Sequence, residues 1–239
     1  MSLLQPFAYL HSASLWAHSL IGGLALLLYW VPLLTAKGGR SHRRFGGWAL
    51  DALVAVVVTV GALLFTRPEP FDPAWVVQFT YLSAGVVTVA WLARAAPRLK
   101  AQPEALQRSR ILRIMGPVLT LMALAVLAAG LTQGDPVAAV LSWVGLVYGL
   151  AMIRFVTMRA PLHPKWALAW HLNATCGLFT AVHGTILFVA WRGFVDPGAS
   201  PVAAALCHAG VILPALALRL HFGRRHGVPL GFAAPLTAR

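Results

Sequence analysis

Nine histidines stand in a chain of 239 residues that is otherwise poor in ionisable groups. Imidazole is the side chain best suited to move a proton near neutral pH and to ligate a metal, so the places it occupies come first. His18, His183 and His208 each lie seven or eight residues inside a long apolar run. At the rise of a helix this puts all three roughly 10–12 Å below the same end of those runs. Two neutral imidazoles on facing helices satisfy the axial positions of a b-type haem. The three residues are therefore candidate ligands for haem b, with electron or proton transfer as the chemistry. The other reading is that each imidazole bonds a carbonyl or hydroxyl of a neighbouring helix and fixes packing. His11, one heptad before His18, shares its face nearer the surface. His171 lies at the opposite depth, level with Asp51, the only acid well inside an apolar run. Asp51 and His171 form a candidate polar relay. A structural ion pair of Asp51 with His171 or Arg44 explains the same placement.

Around His183 the sequence sorts by face. Asn173, Cys176, Gly177, Thr180, His183 and Gly184 fall on one side of a helix at 100° per residue, and His171 points the other way. That side must be buried in protein. It either packs a second helix closely through small residues or lines a ligand cavity. Pro214, six residues beyond His208, cannot donate to the carbonyl of Gly210 and predicts a kink near this cluster. The two cysteines, Cys176 and Cys207, make no CxxC or metal-finger spacing and read as small core residues. There is no GxGxxG, no phosphate-binding P-loop, no HExxH and no GxSxG, so the usual soluble enzyme chemistries have no support.

The elements that position these groups follow from composition. With 59% hydrophobic and 10% charged residues, water is not the main solvent of this chain. Seven apolar segments, 12–35, 45–66, 75–96, 111–132, 136–158, 166–191 and 201–222, are each long enough to cross about 30 Å of hydrocarbon. Lipid demands that every backbone polar group be satisfied within the segment, so the fold class is an all-α, polytopic transmembrane bundle. The connections are short and rich in turn formers, which predicts a single transmembrane domain over 1–239. The start lacks the basic flank of a cleaved signal peptide, so the first segment reads as a retained helix.

Charge then sets orientation. Of 19 Lys and Arg residues, only Arg67 and Arg192 lie on one side of the seven segments, together with Glu69, Asp72, Asp135 and Asp196. All the others, Arg239 included, lie on the opposite side. Basic residues are retained in the cytoplasm, so the amino terminus is expected outside and the carboxyl terminus in the cytoplasm, in a bacterial inner membrane. The net charge of +13 is thus a membrane-side signal and not a nucleic-acid footprint. The first basic connection, KGGRSHRR, concentrates Lys37, Arg40, His42, Arg43 and Arg44. Its glycines allow a tight turn, and its cations can meet anionic lipid head groups.

The stretch from His18 to Val54, with its KGG turn and the HRR-x-G pattern that begins the second segment, resembles a widespread family of bacterial membrane proteins classed as a domain of unknown function. The Trp-rich stretch from Trp166 to Trp191 is similar to the same family. The resemblance marks His18, Lys37, Gly38, Gly39, His42, Arg43, Gly46 and His171 as motif positions and implies no activity. The first hairpin is also similar to the di-haem cytochromes b, which hold each haem between a pair of helix histidines. That likeness implies a haem pair among His18, His183 and His208, while His171 has no second ligand at its depth. The functional expectation is a histidine-lined site between the first, sixth and seventh segments. A non-catalytic subunit packing against other membrane subunits and a small-solute transporter are the alternatives.

Overall fold

The structure is a computed structural model that describes residues 5–67 and 73–232. Glu69, Asp72 and Arg239 lie outside the described residues. Every regular element among the described residues is an α-helix: α1 (Gln5–Leu34), α2 (Arg40–Thr66), α3 (Pro73–Arg98), α4 (Pro103–Gln107), α5 (Arg110–Gln133), α6 (Pro136–Leu141), α7 (Trp143–Thr157), α8 (Trp166–Phe194) and α9 (Pro201–His226). Seven helical spans among them are long and apolar enough to cross a membrane, with α6 and α7 counting as one. These match the seven apolar segments, and the chain is an integral membrane protein. Contacts divide it into two compact units, 1–87 and 88–239, with the boundary inside α3.

In the first unit α1 and α2 form a hairpin. Its turn is closed by Gly38 in the left-handed region (φ 75°), where a side chain would be strained. Lys37 folds back on the carboxyl end of α1: its Nζ donates to the carbonyls of Pro32 (2.9 Å), Leu33 and Thr35 (3.3 Å). His42 Nδ1 donates to the carbonyl of Pro32 at 3.0 Å. These carbonyls end a helix and have no partner further along it, so a cation there satisfies both their lone pairs and the helix dipole. Deeper in the hairpin a ladder repeats at heptad spacing. His18 Nδ1 meets Thr59 Oγ1 at 2.9 Å and His11 Nδ1 meets Thr66 Oγ1 at 3.4 Å. Each threonine hydroxyl spends its only proton on its own helix, Thr59 on Val56 (2.6 Å) and Thr66 on Ala62 (2.8 Å). The hydroxyl must then accept from the imidazole, which protonates Nδ1 of His18.

The second unit is built from the pairs α5 with α7 and α8 with α9, joined through α6. Small residues set the helix separations, as expected where lipid provides no hydrophobic drive between helices. A Cβ on Gly149 of α7 would lie 2.8 Å from the Gly116 carbonyl of α5, and one on Gly130 would lie 2.8 Å from the Ala139 nitrogen of α6. Gly134, with φ 68°, ends α5, and Asp135 then caps α6 by accepting from the nitrogens of Val137 (2.9 Å) and Ala138 (3.3 Å). The QGDP connection is thus a helix stop followed directly by a helix start. The connection 99–109 carries α4, which sequence reading leaves as loop. Pro103 in its first turn with Glu104 beside it favours a helix start. The Gln107 amide then donates to the carbonyls of Phe155 (3.1 Å) and Met158 (3.4 Å) at the end of α7. The fifth span breaks at Ser142, whose hydroxyl turns back to the Ala139 carbonyl at 2.7 Å. α9 runs unbroken past Pro214 to His226, a turn beyond the expected end at Phe222.

Candidate functional site

Of the candidate ligands, the structure places His183 and His208 on the packed pair α8 and α9. His208 lies directly against Gly184: a Cβ there would collide with the imidazole, whose Cε1 and Cγ would be 3.0 Å away. His183, next in sequence, donates from Nδ1 to the Phe179 carbonyl of its own helix at 2.9 Å, and its ring stacks on Phe179 with centroids 3.8 Å apart. His18 belongs to the first unit, in the ladder with Thr59. Asp51 is an exposed residue of α2 in the first unit. His171, in the second, donates from Nδ1 to the Ala93 carbonyl of α3 at 2.7 Å. Arg40 and Arg43 are exposed, and the Arg44 guanidinium lies 4.5 Å over the Trp48 ring. Lys37 and His42 are held against the end of α1 as described above.

A second polar centre lies further along the same α8–α9 pair. Arg219 of α9 is 4% exposed. Its Nε donates to Asn173 Oδ1 of α8, and its Nη2 donates to the Pro229 carbonyl in the segment after α9. Tyr148 of α7, 2% exposed, donates its hydroxyl to the Asn173 carbonyl at 2.5 Å. Gly177 makes room for that phenol, since a Cβ there would collide with the hydroxyl and lie 2.8 Å from Cζ. Cys176 and Tyr148 are ionisable groups that interact electrostatically with the guanidinium. Among the described residues no Asp or Glu bonds Arg219, and no group of three or more His, Cys, Asp or Glu is placed to hold a metal ion.

The two centres share one register. Gly184 meets His208 and Asn173 meets Arg219, and each helix separates its two members by eleven residues. An antiparallel pair in straight register does this, with the levels about 16 Å apart along the seam. Asn173, Gly177, Thr180 and Gly184 are buried between them. Four of the six residues of the α8 face read from sequence are thus buried in protein, while Cys176 and His183 are half-buried.

Sequence reasoning missed Arg219, Tyr148 and Trp170. Ending the last helix at Phe222 puts Arg219 within a turn of the membrane boundary, as one more basic-side arginine. The helix continues to His226, two turns past Arg219, and the chain beyond it folds back to bury the guanidinium. The signal was there in the apolar flanks of Arg219, Leu218 and Leu220. Comparison with protein-family models, curated proteins and solved structures gave no match. The class of protein is thus set by the seven membrane-spanning helices, and its site by the chain's own residues.

Proposed function

We propose that this chain is a small-solute transporter of the bacterial inner membrane, with its basic side in the cytoplasm and the α8–α9 seam as the solute path. One observation carries this reading. A single buried face of α8 meets a polar partner at three successive levels: Arg219 at Asn173, Tyr148 at Gly177 and His208 at Gly184. Polar and ionisable side chains inside a membrane are costly, and they mark solute or proton pathways when they face the protein interior. The protonatable His183 and His208 stand at one end of the path and a permanent cation stands at the other.

The test is flux into vesicles. Purified protein is reconstituted in liposomes loaded with a pH-sensitive dye, and small organic acids and inorganic anions are added outside in turn. Acceleration over empty vesicles for some of them, lost in Arg219→Gln and reduced in His183→Ala, supports the reading. Wild-type protein that inserts fully and moves none of them sinks it, leaving a packed membrane subunit. A second reading, haem ligation, is favoured by the presence of His183 and His208 on one packed helix pair. It requires ligating nitrogens about 4 Å apart with the porphyrin plane open between them, so His208 would have to leave Gly184. An optical spectrum of the purified protein decides it: a Soret band and a reduced α-band, both lost in His183→Ala, or neither.

A further inference from the structure

Arg219 has an unusual set of partners for a buried cation. A charge taken out of water needs an opposite charge and well-placed hydrogen bonds. Here none of the described carboxylates bonds it, and its acceptors are an amide oxygen and a main-chain carbonyl, both neutral. Of the five N–H donors of a guanidinium, those of Nη1 are buried without a hydrogen-bond partner. Nη1 lies beside Gly223, where a Cβ would come within 2.5 Å of it, so the helix is hollowed out by a glycine to admit that nitrogen. Trp170, three residues before Asn173 on α8 and 0% exposed, has a second buried donor without a partner, its Nε1. The Asn173 amide reaches an acceptor only at 3.4 Å, the carbonyl of Leu230. The centre is rich in donors, poor in acceptors and carries one positive charge.

Its main-chain acceptors come from a strap, residues 227–232, that turns back from the end of α9. The hinge is fixed. Gly227 takes a left-handed conformation (φ 59°), Val228 donates to the Gly223 carbonyl at 2.8 Å, and Lys165 donates to the His226 carbonyl at 2.6 Å. Beyond the hinge the strap presents the carbonyls of Pro229 and Leu230 to Arg219 and Asn173. It is then held by one aromatic residue, Phe232, whose ring lies edge-on to Trp170 (4.9 Å) and Tyr148 (5.2 Å).

We propose that Arg219, Asn173 and Trp170 form a binding site for an oxyanion, a carboxylate or phosphate group, and that the Pro229 and Leu230 carbonyls of the strap stand in for its oxygens until Phe232 releases. Arginine binds both groups through two parallel N–H donors, and Nη1 and Nη2 are one such edge, half of it taken by a carbonyl. The strap lies at the basic end of α9, so the site opens toward the cytoplasm. The proposal names the ligand class of the polar seam and rests on that seam being a ligand site. It does not require that the ligand cross the membrane.

Binding in detergent separates the two. Full-length protein in a neutral detergent is melted, with its own tryptophan fluorescence as the readout, against acetate, inorganic phosphate and phosphatidylglycerol, each compared with chloride at equal ionic strength. Wild type should be stabilised saturably by at least one of them. A response to phosphatidylglycerol alone identifies a lipid head group, and a response to acetate or phosphate identifies a free anion. Phe232→Ala should respond at about five- to tenfold lower concentration, because the strap no longer competes for the site. Arg219→Gln should melt cooperatively and show no anion response. Retention of the response in Arg219→Gln, or no response in either wild type or Phe232→Ala, overturns the site. Equal half-saturation in wild type and Phe232→Ala overturns the strap. Anion binding without flux in vesicles would leave the site standing and remove transport.

Discussion

Replacing Gly177 with alanine tests the closest helix contact of the site. An added Cβ would collide with the Tyr148 hydroxyl and stand 2.8 Å from Cζ and 3.0 Å from Cε2 of a ring that is buried on every side. The ring has to move, and its hydroxyl then loses the 2.5 Å bond to the Asn173 carbonyl. Overpacking of this kind costs about 1–3 kcal/mol, and the lost hydrogen bond adds about 1 kcal/mol. Alanine returns up to about 1 kcal/mol of helix propensity. The net expectation is a loss of roughly 1–3 kcal/mol. Gly193, near the end of the same helix with open space around it, is the control, and Gly193→Ala should be neutral or slightly stabilising. Equilibrium unfolding in mixed micelles reads both. Tyr148→Phe removes the atom nearest the new Cβ, so Gly177→Ala with Tyr148→Phe should cost less than the two changes summed. Strict additivity, or a neutral Gly177→Ala, would refute the packing described for α7 and α8.

Three other outcomes are expected. In the first hairpin, His18→Ala and Thr59→Val should show a coupling of about 0.6 kcal/mol, and up to about 1.7, in a double-mutant cycle, whereas zero coupling would deny the hydrogen bond. Gly38→Ala should destabilise the α1–α2 turn by about 1 kcal/mol, because φ 75° strains any side chain; a stabilising change in unfolding would contradict the turn. Reporters fused after Arg67 or Asp196 should be external and those after Lys100 or Arg225 internal, given the sidedness of the basic residues, and any reversal would break the seven-span reading.

The seven spans were legible because lipid leaves the backbone so few options. Each apolar run must be a helix, and charges and turn formers mark where it stops. Boundaries drifted where a helix continued past its apolar run, as α1 does back to Gln5, α2 back to Arg40 and α9 from Phe222 to His226. Arg219 stayed hidden among the other basic-side residues because its burial depends on Asn173 and on the chain beyond α9. The buried face of α8 was readable from Asn173 to Gly184 by spacing alone. Its partners were not, because Tyr148 meets Gly177 and His208 meets Gly184 across helix pairs whose register no local pattern encodes. The same limit applies to Phe232, which lies beyond the last apolar run and finds its place only against Trp170 and Tyr148. Lys37 and His42 read as lipid-facing basic side chains from composition alone. Their main-chain bonds to α1 give them a capping role that charge does not reveal.

The most direct test of a polar path along α8 and α9 uses Cys176, which lies on α8 between Asn173 and Gly177 and interacts electrostatically with Arg219. In a Cys207→Ala background it is the only thiol of the chain. A membrane-impermeant methanethiosulfonate bearing a sulfonate is added from the cytoplasmic side of sealed vesicles, and labelling is followed by mass. The expected result is slow labelling of the folded protein, faster in Phe232→Ala and suppressed by the anion that stabilises the site. A Cys176 that stays unlabelled in both proteins, and reacts only after unfolding, would contradict the path and mark the seam as sealed core.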